Sequence, residues 1–466
     1  MEAQAPAPTT ESSSSSAEGS NGGGGVSCRA RCCRRRWLRS APERVWISAA
    51  AGFCFCSDKV ARIAREDPRR VAHSLKVGLA LTLVSVVYYL TPLFDGLGGG
   101  SAMWAVLTVV IVMEFTVGAT LSKGLNRALA TLVASSLAVG AHEVASLVAA
   151  RSEKAESIIL AVFVFFVASA ATFSRFIPEV KARFDYGVSI FILSFSLVAV
   201  SSYRVEELRP LALQRISTIF VGVAICLGTT VLVFPVWAGE DLHRLAAGNI
   251  HKLADFLQGL ESECFGENSG SENLEGKDFL RAYKSVLSSK DKEDSLCTLA
   301  QWEPPHGRFR FRHPWSQYKK LGTLCRQCAS SMEAIASYVV IVRRYQYPEA
   351  KPELCLKVQT LCGQMSNHSA RTLRELASAL QSMTTPSITD ESDLSDAMKA
   401  ASACRSELLE DAVQLQVMHT AVIASLLSDL VMQINKITES VGNLARLARF
   451  RNPEKTRTDV VIDVKT

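Results

Sequence analysis

The sequence predicts an all-α membrane protein with six transmembrane helices followed by a helical bundle domain in water. Long uncharged apolar runs collect between Lys76 and Gly239, whereas the chain from Glu240 onward is rich in charged residues. A helix needs about 20 mostly apolar residues to cross a bilayer, because no water in the bilayer core can bond to free backbone groups. Six runs in the first half meet that requirement.

Residues 1–57 are predicted to be a disordered, basic N-terminal tail. The tail begins with Ser-rich and Gly-rich sequence and lacks the basic start and apolar stretch of a cleavable signal peptide. Arginines between Arg29 and Arg44 follow, with Cys28, Cys32 and Cys33 beside them. Two interpretations stay open: a solvated tail, or a surface segment that anionic lipid attracts and acylation anchors.

The transmembrane domain is predicted over residues 58–239. Its third span is interrupted near its end by His142 and Glu143, whereas the fourth and fifth have uncharged centres. The spans are expected at Val71 to Leu93, Ser101 to Val117, Leu125 to Val148, Ser157 to Arg175, Phe184 to Tyr203 and Leu213 to Val236.

Basic residues in the short loops predict the orientation, because positively charged flanks stay in the cytoplasm. They precede the first span, follow the second at Lys123 and Arg127, and separate the fourth from the fifth at Arg175 and Lys181. The alternate loops have no such excess. Both termini are therefore predicted to be cytosolic.

Residues 240–450 are predicted to form a cytosolic helical domain, followed by a C-terminal tail at 451–466. Its most apolar stretch, near Val417 to Leu427, is interrupted by polar residues and repeats apolar residues at helical spacing, which is typical of a soluble bundle helix. The Trp302 to Trp315 segment contains three prolines, which forbid a continuous helix. Its alternating Arg and Phe favour a packed connector over a nucleic-acid surface, so no nucleic-acid partner is expected.

The cysteines give no sign of a metal or disulfide framework. Cys325 and Cys328 form a CxxC pair, but no second pair stands at ligand spacing, and both share an apolar helix face with Leu321 and Met332. The thirteen cysteines follow no regular spacing, which favours a reducing compartment. The sequence has no nucleotide loop, catalytic triad or metalloenzyme motif, so neither an enzyme nor a cofactor is expected.

Two arginines are predicted to lie inside the membrane domain. Arg127 opens the third span and Arg215 lies near the outer start of the sixth, each on a helix face of small residues. A guanidinium keeps its proton and pairs bidentately with carboxylate, so both suit an organic anion passing through the membrane. The alternative is that Arg127 snorkels to the cytosolic surface and Arg215 to the outer one.

Other charged residues have weaker signals. Glu114 in the second span is expected to pair with Lys76 in the first, and the pair is either structural or part of a gate; Lys76 alone would snorkel. Asp95 and Glu206 in the outer loops offer oxygen ligands to a hard cation if the fold brings them together, and are otherwise simply hydrated.

Several motifs resemble the aluminium-activated malate transporter family of plant anion channels. They are the run from Ala102 through Glu114 to Arg127, Phe184 to Gly187 (FDYG), Phe234 to His243 (FPVWAGEDLH), and Trp302 to Trp315 (WEPPHGRFRFRHPW). The resemblance covers residues 65–450 and implies a homodimeric, gated channel that passes malate and other organic or inorganic anions. It also implies that Arg127, Arg215, Lys76 and Glu114 belong to the anion pore.

The resemblance has two further implications. Phe234 and the segment after it resemble the region tied to inhibition by gamma-aminobutyrate, although an aromatic residue at a bilayer boundary needs no ligand to explain it. Members that respond to aluminium carry clustered outer carboxylates, where this sequence has Asp95 and Glu206 but also Pro210. The aluminium response is thus left open. As a separate expectation, the plasma membrane is favoured over the vacuolar membrane.

Two other functions compete with a channel. A proton-coupled exporter of organic or aromatic acids would need a titratable relay, for which Glu114 with His73 is the hint. A membrane scaffold that displays its cytosolic bundle would leave the arginines of the membrane domain without a purpose.

Overall fold

In the computed structural model the described residues form α-helices and no strand. The residues that the structure describes are 59–90, 102–148, 153–201, 208–265, 278–345, 352–386, 388–410 and 418–452. The predicted N-terminal tail and all but the first two residues of the predicted C-terminal tail fall outside them. Residues 59–66 are helical and belong to a unit separate from the one that begins at Arg69. The prediction of an all-α membrane protein is confirmed.

Six of the described helices correspond to the predicted spans. They are α1 (Pro68–Leu90), α2 (Ala102–Val112), α3 (Val117–Val148), α4 (Glu153–Ser174), α5 (Pro178–Ser201) and α6 (Leu208–Leu232). All except α2 are long and apolar enough to cross a membrane. Large apolar side chains such as Phe165, Phe173 and Leu213 are exposed on them, as lipid-facing helices require.

The second span differs most from its prediction. Within the described residues α2 has 11 residues, about 16 Å of helix, which is shorter than the hydrocarbon core of a bilayer. The chain is not helical over residues 113–116, and α3 begins at Val117 rather than at the predicted Leu125. Lys123 and Arg127 therefore lie inside a helix and not in a loop.

The break between α2 and α3 is stabilised by local hydrogen bonds. The Thr120 hydroxyl accepts from the Glu114 N–H at 3.1 Å and approaches its carbonyl at 3.2 Å. The Thr116 hydroxyl accepts from the Ala119 N–H at 3.3 Å, as an N-cap does. The Val117 N–H donates to the Val236 carbonyl at 2.9 Å. Backbone groups that a continuous helix would pair are thus satisfied otherwise.

The C-terminal half forms a helical domain around one hydrophobic core that extends from Ala238 to Leu444. A π-helical turn, Glu261–Phe265, follows its first helix. The helices are α7 (Ala238–Leu260), α8 (Phe279–Ala282), α9 (Lys284–Leu287), α10 (Lys290–Ala300), α11 (Trp315–Tyr345), α12 (Pro352–Ser382), α13 (Ile388–Glu410) and α14 (Met418–Ala448).

Helix α14 contains the apolar stretch that sequence reasoning rejected as a span. By length and composition alone it is long and apolar enough to cross a membrane. It nevertheless packs against α11, α12 and α13, and buries Leu427, Ile434 and Val441 in the core they share. The helix therefore has the one-sided burial of a bundle helix.

The Trp302 to Trp315 segment connects α10 to α11 through turns and non-helical chain. The ring of His306 stacks on that of Trp237 with centroids 3.7 Å apart. Arg308 donates to the Ser382 carbonyl at 3.1 Å, which ties the segment to α12. It is an ordered connector, as its prolines predict.

The CxxC cysteines lie in the core of this domain. Cys325 and Cys328 are buried, and burial raises the pKa of both thiols, that of Cys328 to about 12. A thiol kept protonated is a poor metal ligand. Within the described part of the chain, no group of three or more His, Cys, Asp or Glu side chains is placed to hold a metal ion.

Candidate functional site

The candidate site follows one side of the short helix α2. Trp104 and Thr108 are four residues apart, so they occupy one face of α2 about 6 Å apart along its axis. Trp104 and Thr108 contact Arg215 of α6 and Arg127 of α3, and the neighbouring Ala105 and Val109 pack with Ala80 of α1 and Cys226 of α6. The two arginines predicted from the sequence both reach the face that carries Trp104 and Thr108.

Arg127 projects from α3 into the space between α2 and α5. Its Nε donates to the Thr108 hydroxyl at 3.1 Å, and its Nη1 lies 3.5 Å from the Tyr186 hydroxyl. The Thr108 hydroxyl in turn donates to the Trp104 carbonyl at 2.6 Å. Arg127 is only 2% exposed. Its charge is therefore held between helices and does not snorkel to a surface.

Arg215 reaches the same face of α2 from α6. Its guanidinium carbon lies 4.3 Å from the centroid of the Trp104 ring, a cation–π contact. The residue is half-buried. Because Trp104 and Thr108 are one helical turn apart, Arg215 and Arg127 stand at successive levels along α2.

Glycines let these helices approach closely. A Cβ on Gly222 of α6 would lie 2.9 Å from the Cβ of Thr108, and a Cβ on Gly124 of α3 would lie 3.1 Å from Val223 Cγ1. Small residues of this kind allow membrane helices to pack with backbones near each other. They hold Thr108 within reach of Arg127.

The predicted pair of Lys76 with Glu114 does not form. The Glu114 carboxylate accepts a hydrogen bond from Lys123, one and a half turns into α3, in a close ion pair. Glu114 stands in the break after α2 and not deep in a span, so its side chain faces the start of α3. The predicted pairing of Lys76 with Glu114 is therefore wrong, because α2 ends at Val112, before Glu114.

Lys76 is buried by itself. It is 1% exposed, and its Nζ has no hydrogen-bond partner among the residues the structure describes. Ala80, one turn further along α1, packs with Ala105 and Val109 of α2. Nearby, His73 meets the ring of Phe115 edge-on, with centroids 5.7 Å apart. Lys76 is thus a buried amine close to the site but not joined to it.

Tyr186 of α5 joins Lys123 to Arg127. Lys123 Nζ lies 5.8 Å from the centroid of the Tyr186 ring, while the hydroxyl of that ring meets Arg127. Polar contacts therefore run without a gap along α2, in the order Glu114, Lys123, Tyr186, Arg127, Thr108, Trp104 and Arg215. We call this series the α2 ladder.

Sequence reasoning missed four members of the ladder, namely Lys123, Tyr186, Thr108 and Trp104. For Lys123 a signal exists, because residues 123 and 127 are spaced i and i+4 on one helix face once α3 starts at Val117. The other three contact the arginines across helices, over sequence separations of 19 residues or more. Their motifs were noted for the resemblance, but not as parts of a site.

The remaining predicted residues lie elsewhere. Phe234 follows α6, has a positive φ of 43° immediately before Pro235, and is 77% exposed. This left-handed conformation is uncommon for a bulky side chain. Asp95 and Glu206, predicted as an outer cation site, lie outside the described residues.

A buried carboxylate fixes α3 to the C-terminal domain. Glu303 of the connector accepts from the N–H groups of Ala238 at 2.6 Å and Gly239 at 2.9 Å, at the start of α7, and from the N–H of Gly118 in α3. Burial raises the pKa of Glu303, and these N–H donors oppose that rise. A Cβ on Gly118 would lie 2.3 Å from the Leu299 carbonyl oxygen. The connector thus fixes the position of α3, the helix that carries Lys123 and Arg127.

The α2 ladder has an excess of positive charge. Lys123, Arg127 and Arg215 supply three cations, and Glu114 supplies one anion. Guanidinium groups bind carboxylates with two parallel hydrogen bonds, and an aromatic face orients a cation without neutralising it. This arrangement suits a small anion that carries carboxylates and moves along α2.

Comparisons with known proteins agree with that chemistry. Residues 61–421 match the family model described as aluminium activated malate transporter. Aluminum-activated malate transporter 1 of Triticum aestivum is 65% identical over 416 residues, 89% of this chain and 90% of that protein. Aluminum-activated malate transporter 2 of Arabidopsis thaliana is 45% identical over 404 residues, 84% of this chain and 78% of that protein.

Proposed function

Because this chain belongs to the aluminium-activated malate transporter family, we propose that it is a gated pathway that moves malate and other organic or inorganic anions across a plant membrane. One observation carries the proposal at the level of residues: Arg127 and Arg215 converge on one face of α2, at Thr108 and Trp104. We assign the pore lining to this face, and place Lys76 and Glu114 at its border.

The physical role of the arginines is to compensate the charge of the anion within the membrane. A dicarboxylate loses hydration when it leaves water, and fixed guanidinium groups replace part of the lost interaction. The driving force is the membrane potential, worth about 2.3 kcal/mol per charge per 100 mV. Successive cations one helical turn apart keep each binding position weak enough for the anion to leave.

The proposal includes an orientation. Arg175 lies between α4 and α5, Lys181 and Arg183 lie in the first two turns of α5, and Arg183 donates to Gln301 next to the connector at 2.9 Å. Arg69 at the start of α1 pairs with Asp241 of α7 at 2.9 Å. These basic helix ends adjoin the C-terminal domain, which supports a cytosolic position for that domain and for both termini. We further propose a homodimer in the plasma membrane.

The competing functions receive less support. The comparisons give none to a proton-coupled exporter, and Glu114, one of the two residues suggested for its relay, is already paired with Lys123. We propose a transporter and not an enzyme, since the family is one of transporters.

The names of the relatives fit a response to aluminium, and we propose that malate flux rises when the metal is added outside. Phe234 stays a proposed contact for an inhibitor, on the basis of its exposed ring at the end of α6. Neither proposal depends on the α2 ladder.

Currents from oocytes loaded with malate test the pathway. Arg127→Ala and Arg215→Ala each remove a cation, and a charged hydrogen bond is worth about 1.5–3 kcal/mol, so malate current should fall on the order of tenfold at equal surface amount. Arg209→Ala is the matched control, because Arg209 lies on the same helix as Arg215, its side chain is 75% exposed, and it pairs with Glu143. Undiminished malate current in both test variants would contradict the assignment.

A further inference from the structure

We propose that Lys123 is a carboxylate-binding position at the end of the α2 ladder nearest the C-terminal domain, and that Glu114 occupies it as a built-in competitor of the transported anion. The proposal deepens the proposed function and rests on it, because it needs malate to travel along α2. It makes Glu114 a displaceable stand-in for one carboxylate of the substrate.

The first support is the geometry of the pair. Lys123 donates directly to the Glu114 carboxylate, which is chemically the same group as each end of malate. Glu114 is held through its backbone, whose N–H and carbonyl both contact the Thr120 hydroxyl. Its side chain can therefore leave Lys123 by rotating, with no change in the chain around it.

The second support is exposure. The side chains of Lys123 and Glu114 are 37% and 36% exposed, whereas Arg127 is 2% exposed. Ion pairs open to solvent are weak, since water screens them. An anion arriving from the side of the C-terminal domain reaches Lys123 before Arg127 and meets a partner that it can displace.

The third support is continuity with the rest of the ladder. Lys123 and Arg127 are separated by one helical turn on the same face of α3. Tyr186 touches both, with its ring near the lysine and its hydroxyl near the arginine. A carboxylate released by Lys123 therefore has a second cation about 6 Å away. Lys123 is thus positioned to pass an anion on.

The decisive measurement is the malate concentration that gives half-maximal current when malate is applied to the side of the C-terminal domain in excised patches. Glu114→Gln removes the competing charge but keeps the shape of the side chain, so this concentration should fall severalfold. Lys123→Gln removes the binding cation, so the half-maximal malate concentration should rise severalfold. Lys123→Arg keeps a cation and should restore most of the affinity.

The double variant Glu114→Gln/Lys123→Gln gives the sharpest outcome. If Glu114 acts only by occupying Lys123, the glutamine at position 114 has no further effect once Lys123 is gone, and the double variant matches Lys123→Gln. Independent, additive shifts would overturn the proposal. Lys181→Gln is the control, because it removes an exposed lysine in the first turn of α5. It should leave the half-maximal concentration unchanged.

The outcomes separate this proposal from the proposed function. Absence of malate current in the unmodified chain would refute the function itself. Another outcome is normal malate current in the unmodified chain together with a half-maximal concentration in Glu114→Gln that stays the same or rises. That result would refute only the proposal that Glu114 competes with malate for Lys123. A purely structural pair would lower the surface amount or the maximal current of Glu114→Gln without shifting that concentration, and this result also contradicts the proposal.

Discussion

Arg127 shows how a permanent charge is kept between membrane helices. A charged side chain at membrane depth costs several kcal/mol unless it faces partners or a cavity. Among the described residues, Arg127 donates to Thr108 and Tyr186. A guanidinium has five N–H groups, so this side chain keeps donors for a carboxylate in addition to its structural bonds. The same residue can therefore hold α2 in place while it serves the anion binding that we propose.

A buried histidine in the connector gives a pH prediction at the residue scale. Burial, with a smaller contribution from the neighbouring His243 and His306, lowers the pKa of His313 from 6.5 to about 4. The unfolded chain binds a proton near pH 6.5, whereas the folded chain does so only near pH 4. Stability is therefore greatest above about pH 6.5 and falls by up to about 3 kcal/mol as the pH drops towards 4.

Thermal unfolding of the purified full chain at about pH 7.5 and about pH 5 checks this prediction. His313→Gln removes the titrating group, so the loss of unfolding temperature on acidification should become smaller than in the unmodified chain. His251→Gln is the control, because that histidine is exposed on α7. An equal pH dependence in His313→Gln and the unmodified chain would show that another group is responsible.

Individual site residues were predictable only where their chemistry is rare in its setting. Arg127 and Arg215 stand out because permanent charges are uncommon within apolar runs. Trp104 and Tyr186 do not stand out, because aromatic residues are ordinary in membrane helices and their partners are remote in sequence. Lys76 was assigned the wrong partner, since a sequence gives depth in the membrane but not which face of α2 a side chain meets.

At the scale of elements, the short helix α2 organises the site. It lies against α3 and α6, and glycines at both contacts bring the backbones together. Because α2 ends at Val112, the following four residues can turn and place Glu114 beside Lys123. A continuous second span would have carried Glu114 along its own axis, away from the start of α3.

Gly222→Ala tests the close packing of α2 on α6. The new methyl group would lie 2.9 Å from Thr108 Cβ and 3.2 Å from the Ala105 carbonyl oxygen, so α2 must move. Overpacking of this kind costs about 1–3 kcal/mol, and it separates Thr108 from Arg127. We expect a lower unfolding temperature and a severalfold smaller malate current.

Gly228→Ala in the same helix is the matched control. Beyond its own chain neighbours and helix backbone, no atom of the described residues lies within 4 Å of a Cβ built at Gly228, and alanine is favoured over glycine in a helix by about 0.5–1 kcal/mol. Its unfolding temperature and current should equal or exceed those of the unmodified chain. Equal behaviour of the two variants would show that the contact between Gly222 and Thr108 does not position the site.

The element predictions succeeded where apolar length alone decides the outcome. The first, fourth, fifth and sixth spans lie near their predicted positions, because a long uncharged run has few alternatives to a membrane helix. The break at residues 113–116 was missed, since it depends on side-chain bonds from Thr116 and Thr120 and on the carbonyl of Val236. Hydropathy does not register such bonds.

At the scale of the whole molecule, the connector links the membrane helices to the C-terminal domain. Glu303 bonds to backbone N–H groups of both α3 and α7, and Trp237 stacks on His306 at the same junction. A displacement of the C-terminal domain would therefore be transmitted to the start of α3, where Lys123 and Arg127 stand. The change in charge at Glu240 predicts a membrane half and a water half, but nothing in the sequence indicates this junction.

The position of bound malate in an electron cryo-microscopy map of the full chain in a lipid bilayer tests the central claim most directly. We predict malate density against the Trp104 and Thr108 face of α2, with its carboxylates toward the guanidinium groups of Arg127 and Arg215. Malate bound along a route that meets neither arginine would contradict the account.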